Sequence, residues 1–179
     1  AEGKLVLSEE AKYNKNDFVF DGTKIVGFSE LGKEKLEYNK NLIIPDKNEN
    51  GEDITEIGDN AFEYTGEYEY TTDTGESLNG LVSVEIPETV KKIGKSAFQK
   101  NRLREVNLPE GLEEIGTLAF NGNNLISIEI PDSVIKMGEG TFSLNNISYA
   151  KLSKNMKTVP NGIFSRNLNL KNIEIPDGV

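Results

Sequence analysis

Carboxylates come closest to forming a catalytic group in this chain. It has no His and no Cys, so the commonest general base, the commonest metal ligand and the thiolate nucleophile are missing. Glu85 and Glu129 occupy equivalent positions in repeated segments and, two coils apart, would lie about 10 Å from each other. Inverting glycosidases hold their carboxylates about 6.5–9.5 Å apart. Because an open sheet has no cleft to exclude water, we predict no catalytic residues and no enzyme activity.

Residues 46–57 begin like a calcium-binding EF-hand loop. Asp46, Asn48 and Gly51 stand in the expected order. The twelfth position should supply a bidentate Glu, but here it is Ile57. A solvated loop accounts for the same residues, and we predict no metal site and no cofactor.

Residues 63–77 are acidic and contain half of the six tyrosines of the chain. Tyrosine gives a large, rigid contact surface with a polar tip, which suits a binding loop. The other possibility is a protruding hairpin whose rings merely cover the side of the fold. The candidate binding residues here are Tyr64, Tyr68, Tyr70, Glu67 and Glu69.

Three consecutive segments of 22 residues share one pattern, at residues 81–102, 103–124 and 125–146. Their skeleton is L-x-x-[VI]-x-[IL]-P-x-x-[VL]-x-x-[IM]-G-x-x-[AT]-F-x-x-N-x. Such a fixed period is the mark of a solenoid, in which each coil packs on the next. Less regular copies begin at Leu42, Ile147 and Leu170, so residues 42–179 should form about six coils. The chain stops inside a repeat, and we expect further repeats or a cap beyond it.

Each repeat should begin with a half-buried strand. In residues 103–109, Val106 and Leu108 alternate with Glu105 and Asn107, so the apolar pair should point inward and the polar pair outward. Glycine at position 116 should let the backbone bend, and a short helical or 3₁₀ return should follow. The outward side chains of the strands form a candidate binding face: Glu85, Glu105, Asn107, Glu129, Tyr149 and Lys151.

Two residue types recur once in every coil. Phe120 should be buried between Phe98 and Phe142. The asparagine at the end of each coil is either a plain turn residue or a ladder that bonds the backbone of its own and neighbouring coils. Its recurrence at one position favours the ladder. The asparagines are Asn101, Asn123, Asn145 and Asn167.

Residues 1–41 do not follow the repeat. Phe18 to Val26 should form a β-hairpin that turns at Asp21-Gly22. Residues 32–40 are highly charged and should be a surface connection. A polar, atypical unit is expected at the end of a solenoid, so we predict an N-terminal cap at 1–41 and the solenoid at 42–179.

The segments IPETVKKIGKSAF, LPEGLEEIGTLAF and IPDSVIKMGEGTF resemble the BspA-type leucine-rich repeats of bacterial surface proteins. The resemblance covers residues 42–179. It implies an α/β leucine-rich repeat solenoid, right-handed as such crossovers usually are, and a role in extracellular adhesion or protein binding. Ser153 and Pro160 depart from the pattern in the fifth unit, and asparagine stands where such repeats often have Cys after the Phe.

The charge of the chain limits its partners. Thirty acidic residues against 20 basic ones give a net charge of −10, which argues against nucleic acid and anionic membranes. No apolar run approaches the roughly 18 residues that span a bilayer. We predict a secreted or cell-surface module that binds a host or cell-surface protein or glycan. The alternative is a structural spacer that presents another domain, and the oligomeric state stays open.

Overall fold

The computed structural model describes residues 12–64 and 80–179. Short strands dominate this part of the chain, together with one 3₁₀ turn at Lys15–Asp17 and one α-helix. In chain order the strands are β1 (Phe18–Asp21), β2 (Lys24–Phe28), β3 (Asn41–Ile43), β4 (Glu56–Ile57), β5 (Ser83–Glu85), β6 (Lys92–Ile93), β7 (Glu114–Ile115), β8 (Ser127–Glu129), β9 (Lys136–Met137), β10 (Tyr149–Lys151) and β11 (Asn172–Glu174). No helix in the described ranges is long and apolar enough to span a bilayer.

The hairpin prediction is confirmed, with its turn displaced by one residue. β1 and β2 pair antiparallel, and Asp21 pairs with Lys24, so the loop is Gly22-Thr23. Gly22 has a φ of +60° at the first central position, where a two-residue turn can require glycine. The other edge of β2 pairs in parallel with β4, which joins the hairpin to the first repeat.

The segment predicted as a surface connection is largely helical, so that prediction was wrong. Helix α1 spans Glu30–Leu36. Ser29 caps it by accepting a hydrogen bond from the backbone N–H of Gly32. The Lys35 ammonium lies 2.7 Å from the Asp17 carboxylate, and both side chains are buried. The charged residues of this segment therefore include an internal ion pair.

Two rows of parallel strands follow the repeat. The first row comes from the apolar run at the start of the coils. In it β3 pairs with β5, and β10 lies between β8 and β11 and pairs with both. The second row consists of two-residue strands in the order β4-β6-β7-β9, extended by the hairpin. Every described coil except the one at 103–124 supplies a strand to the first row.

The prediction of a short helical or 3₁₀ return was wrong. In the four coils that contain Pro45, Pro87, Pro109 and Pro131, the residues after the proline form the second row of strands, and a run of turns then carries the chain back. Ile57, Ile93, Ile115 and Met137 align in this ladder and are all buried. A helix would use these backbone groups for bonds within its own turns, so it could not also form the backbone hydrogen bonds between coils.

A stack of phenylalanine rings runs through the core. Phe120 is fully buried, 5.3 Å from Phe98 and 5.6 Å from Phe142 between ring centroids, with nearly parallel planes. Phe62 and Phe164 continue the stack on either side. The predicted burial of Phe120 is confirmed.

The asparagine ladder is also confirmed. The Asn123 side-chain oxygen accepts a hydrogen bond from the backbone N–H of Leu103. Its amide group donates to the carbonyls of Phe98 and Phe120, which lie in the previous coil and in its own. The same pattern holds at Asn101, Asn145 and Asn167. Because it satisfies buried backbone groups between coils, this asparagine is a structural residue.

The recurring glycine has a different role from the one predicted. Gly116 has no positive φ, so the coil does not need glycine there for a bend. A Cβ at this position would lie 2.5 Å from the backbone nitrogen of Lys95 and 2.6 Å from the carbonyl carbon of Gly94. The glycine is therefore required because the preceding coil approaches its backbone closely.

Candidate functional site

The strand face places the predicted polar residues on its outer side. Glu85, Glu105, Asn107 and Glu129 are exposed, while Tyr149 and Lys151 are partly buried. In the pairing of β8, β10 and β11, Lys151 aligns with Glu129 on one side and with Glu174 on the other. The alternation of inward and outward residues was therefore predicted correctly, with Leu108 buried and Val106 half-buried.

The strand predicted at 105–108 is absent, and this interrupts the first row. β5 and β8 pair with strands on their far sides only. Between them, the backbone N–H groups of Glu105 to Leu108 donate no backbone hydrogen bond within the described ranges. Asparagine is depleted in strands, and Asn107 stands where β5, β8, β10 and β11 have Glu or Lys. The first row is therefore interrupted at this coil, while the second row continues through β7.

A cleft of about 570 Å³ lies against residues 105–108 of this coil and against the neighbouring strand β8. It brings together four of the predicted face residues, Glu105, Asn107, Glu129 and Lys151, but it does not include Glu85 or Tyr149. The sequence analysis expected a face with no cleft that excludes water, and it did not anticipate this open cleft. The cleft remains open to water, and the carboxylates of Glu105 and Glu129 are exposed in it.

Three acidic residues at the edge of the cleft were not predicted. Glu88, Glu110 and Asp132 follow the prolines of successive coils at the same 22-residue step. That period was the signal that could have identified them. Glu88 accepts a hydrogen bond from the backbone N–H of Glu110, at 3.1 Å. Five carboxylates and one ammonium, that of Lys151, therefore line the cleft.

Ion pairs leave most of this negative charge exposed. Asp132 lies 2.8 Å from the Lys154 ammonium, whose hydrogen bond holds the pKa of that carboxyl below its usual value. Beside the cleft, burial raises the pKa of Tyr149, and the hydrogen bond from its hydroxyl to Glu174 raises it further. Glu105, Glu110 and Glu129 form no ion pair within the residues that the structure covers. The cleft thus carries a net negative charge that could attract a cation.

The tyrosine segment lies mainly outside the described residues. Of its candidates only Tyr64 is described, whereas Glu67, Tyr68, Glu69 and Tyr70 are not. The backbone N–H of Tyr64 donates to Gln99, and the residue borders a hollow of about 400 Å³ beside α1. The binding role of this segment stays a prediction.

The loop that begins like an EF-hand is closed by its own hydrogen bonds. Asn48 is buried, and its side-chain oxygen accepts from the backbone N–H groups of Asn50 and Glu52. Its amide donates to Glu52 and to the carbonyl of Gly22 in the hairpin turn. Asn48 therefore anchors this loop to the hairpin.

The repeat signature identifies the family. Residues 76–179 match the model of the BspA type leucine rich repeat region in six copies. This match covers more than half of the chain, which therefore belongs to the BspA-type leucine-rich repeat family. No curated protein matches the sequence.

Solved structures with the same fold are bacterial proteins of low sequence identity. A leucine rich cell surface protein from Faecalibacterium prausnitzii has 22% identity and a TM-score of 0.66, over 93% of this chain and 43% of that one. A leucine rich repeat protein from T. pallidum has 20% identity and a TM-score of 0.63, over 86% and 75%. The pneumococcal vaccine antigen PcpA has 21% identity and a TM-score of 0.58, over 93% and 50%. The chain thus spans half or less of two of these three proteins.

Proposed function

We propose that this chain is an extracellular binding module of a bacterial surface protein and that it holds a protein partner on its strand face, as an adhesin does. Family membership supports a bacterial leucine-rich repeat module. One structural neighbour is described as a cell surface protein and another as a vaccine antigen. In this proposal residues 1–41 cap a right-handed solenoid of about six coils at 42–179, and the module has no catalytic role.

The observation that carries the proposal is the acidic cleft at the interrupted strand. It gathers Glu105, Asn107, Glu129 and Lys151, which sequence analysis had placed on one face, and adds the carboxylates of the coil edge. Beside these side chains, the backbone N–H groups of residues 105–108 donate no backbone hydrogen bond within the described ranges. A peptide segment rich in Lys or Arg fits these features because its cations would meet exposed carboxylates.

Charge reversal in the cleft tests this function. We expect the Glu105→Lys, Glu129→Lys double variant to lose at least tenfold in affinity for a lysine-rich peptide and for any matrix protein that binds the parent. The matched control reverses Glu49 and Glu113, which are exposed outside the cleft. Surface plasmon resonance measures the affinities of the cleft variant and of the control. Two salt concentrations are used because binding driven by charge weakens as salt rises.

Each outcome of this experiment has a defined meaning. Equal affinity in the cleft variant and its control would contradict specific binding of the partner in the cleft. A parent protein that binds neither the peptide nor any member of a panel of matrix proteins and glycans would favour the spacer alternative.

The tyrosine segment is the competing site, and a deletion separates the two. Phe62 and Pro87 are 25 residues apart, whereas the later coils use 11, so removing about 14 residues within 63–77 should restore the regular spacing. Loop shortening at a surface changes closure entropy little, so the circular dichroism spectrum should be kept. A tenfold loss of partner affinity in the deletion variant alone would assign binding to the tyrosines.

A further inference from the structure

A groove at the other end of the strands from the acidic cleft contains every arginine of the chain. Arg102, Arg104 and Arg166 all line it, and its volume is about 610 Å³. No acidic side chain and no lysine lines it. In a protein with 30 acidic residues and a net charge of −10, this groove is a local region of opposite sign.

Two of the three arginines are available to a ligand. Arg104 and Arg166 are exposed, and neither forms an ion pair in the parts of the chain that the structure covers. A guanidinium offers a planar fork of N–H donors that matches carboxylate, sulfate or phosphate oxygens, which an ammonium does not. The surrounding negative charge is screened over about 8 Å at physiological salt, so a bound anion responds mainly to the groove itself.

The rest of the lining indicates what kind of anion fits. Arg102, Asn124 and Asn146 form one row at 22-residue steps, so exposed side-chain amides continue the line that the arginine begins. Ile126 and Leu144 are 55% and 49% exposed beside them and present apolar surface. Amides bond hydroxyl groups, and apolar side chains cover the C–H faces of sugar rings.

The spacing of the charges indicates an extended ligand. Arg102 closes the coil 81–102, and Arg166 lies near the end of the coil 147–168, three coils further along. At about 4.8 Å per coil the two positions are about 14 Å apart. A single small anion cannot contact both ends of such a groove, whereas a chain of several charged sugar units can.

We propose that this groove binds an acidic polysaccharide, one that carries carboxylate or sulfate groups along a hydroxyl-rich chain. The arginines hold the acidic groups, and the asparagines and apolar side chains contact the sugar between them. The site shares no residue with the acidic cleft, so it operates whether or not a protein occupies that cleft.

The test uses defined oligosaccharides as probes. Isothermal titration calorimetry with a size-fractionated heparin oligosaccharide and with a hyaluronan oligosaccharide separates sulfate from carboxylate recognition. A dextran oligosaccharide of equal length is the neutral probe, and a polyglutamate peptide is the acidic non-sugar probe. We expect one or both acidic sugars to bind, and dextran to show no binding.

Matched charge variants locate the site. The Arg104→Gln, Arg166→Gln double variant should lose at least tenfold in affinity for the acidic sugar and show a shallower dependence on salt. The control removes two exposed positive charges elsewhere, with Lys15→Gln and Lys157→Gln, and should stay within twofold of the parent. Changing both arginines to Lys keeps the charge but loses the planar fork, and we expect an intermediate loss. A urea melt of each variant confirms that it is folded.

Several results would overturn the proposal. One is a parent protein that binds neither acidic sugar. Another is an equal loss of affinity in the Arg104→Gln, Arg166→Gln variant and in the Lys15→Gln, Lys157→Gln control, which would indicate that overall charge and not a specific site drives binding. Tighter binding of polyglutamate than of either sugar would assign the groove to an acidic peptide. None of these results affects binding at the acidic cleft, so the two proposals fail separately.

Discussion

At the scale of single residues, the fold depends on side chains that each act on two coils at once. Asn123 satisfies backbone groups in its own coil and in the previous one, and Phe120 packs against a ring on either side. A solenoid coil has no core of its own, so such bridging residues stabilise the array and not the individual unit.

Removing the ring of Phe120, at the centre of the phenylalanine stack, should destabilise the protein. We expect Phe120→Ala to lower the free energy of unfolding by about 3–5 kcal/mol, because it removes buried area and leaves a cavity. Glu113→Ala in the same coil changes an exposed side chain and should stay within about 0.5 kcal/mol. Urea melts of both variants measure the difference, and equal midpoints would contradict the central place of the phenylalanine stack.

At the scale of elements, two segments differ from expectation for physical reasons. Helix α1 was missed because Gly32 and a run of charges obscured a weak helical signal, although the Ser29 cap was visible. The second row of strands was missed because two residues per coil show no periodicity of their own. These strands exist only because their partners lie in the coils before and after them.

The close approach of successive coils makes a prediction about glycine. Gly116→Ala should lower stability by about 1–3 kcal/mol, since the new methyl group would meet the backbone of the preceding coil. Gly111→Ala lies in the same repeat but would meet mainly the flexible end of Lys91. This control should be neutral or slightly stabilising, by up to about 1 kcal/mol, because alanine restricts the unfolded chain. Thermal melts that rank the two variants in the reverse order would refute the steric role of Gly116.

At the scale of the whole molecule, the N-terminal segment should stabilise the repeats through the strands that pair with it. The hairpin joins the second row through β2 and β4. The Lys35–Asp17 pair ties α1 to the start of that hairpin, with both side chains nearly inaccessible. A defect there should therefore loosen the first coils most and the distant coils least.

Breaking this buried pair tests the connection. Lys35→Met should lower stability by about 3–5 kcal/mol, because the Asp17 charge would stay buried without its cation. Lys33→Met is the matched control, since its pair with Glu30 is solvent-exposed and contributes about 0–1 kcal/mol. Hydrogen exchange should accelerate more in β1 and β2 than in β8 and β10. Uniform acceleration along the chain would show that the molecule unfolds as one unit.

The sequence by itself determined the repeat. A 22-residue period with apolar residues at fixed positions leaves few ways to bury those side chains. Stacking the coils buries the equivalent residues of every repeat in the same way. The buried phenylalanine row, the asparagine ladder and the outward direction of Glu105 and Asn107 all follow from that period. Each of these features depends on residue type and position within one unit, which the sequence displays directly.

Only the tertiary structure decided where the two proposed binding surfaces lie. The acidic cleft lies beside residues 105–108, which form no first-row strand although β7 of the same coil pairs with β6 and β9, and such pairing depends on backbone groups 22 residues away on each side. The arginine groove exists because coils at 102 and 166, distant in the chain, stack within a few strand spacings of each other. Such distances cannot be predicted from the local sequence, because they depend on how successive coils stack.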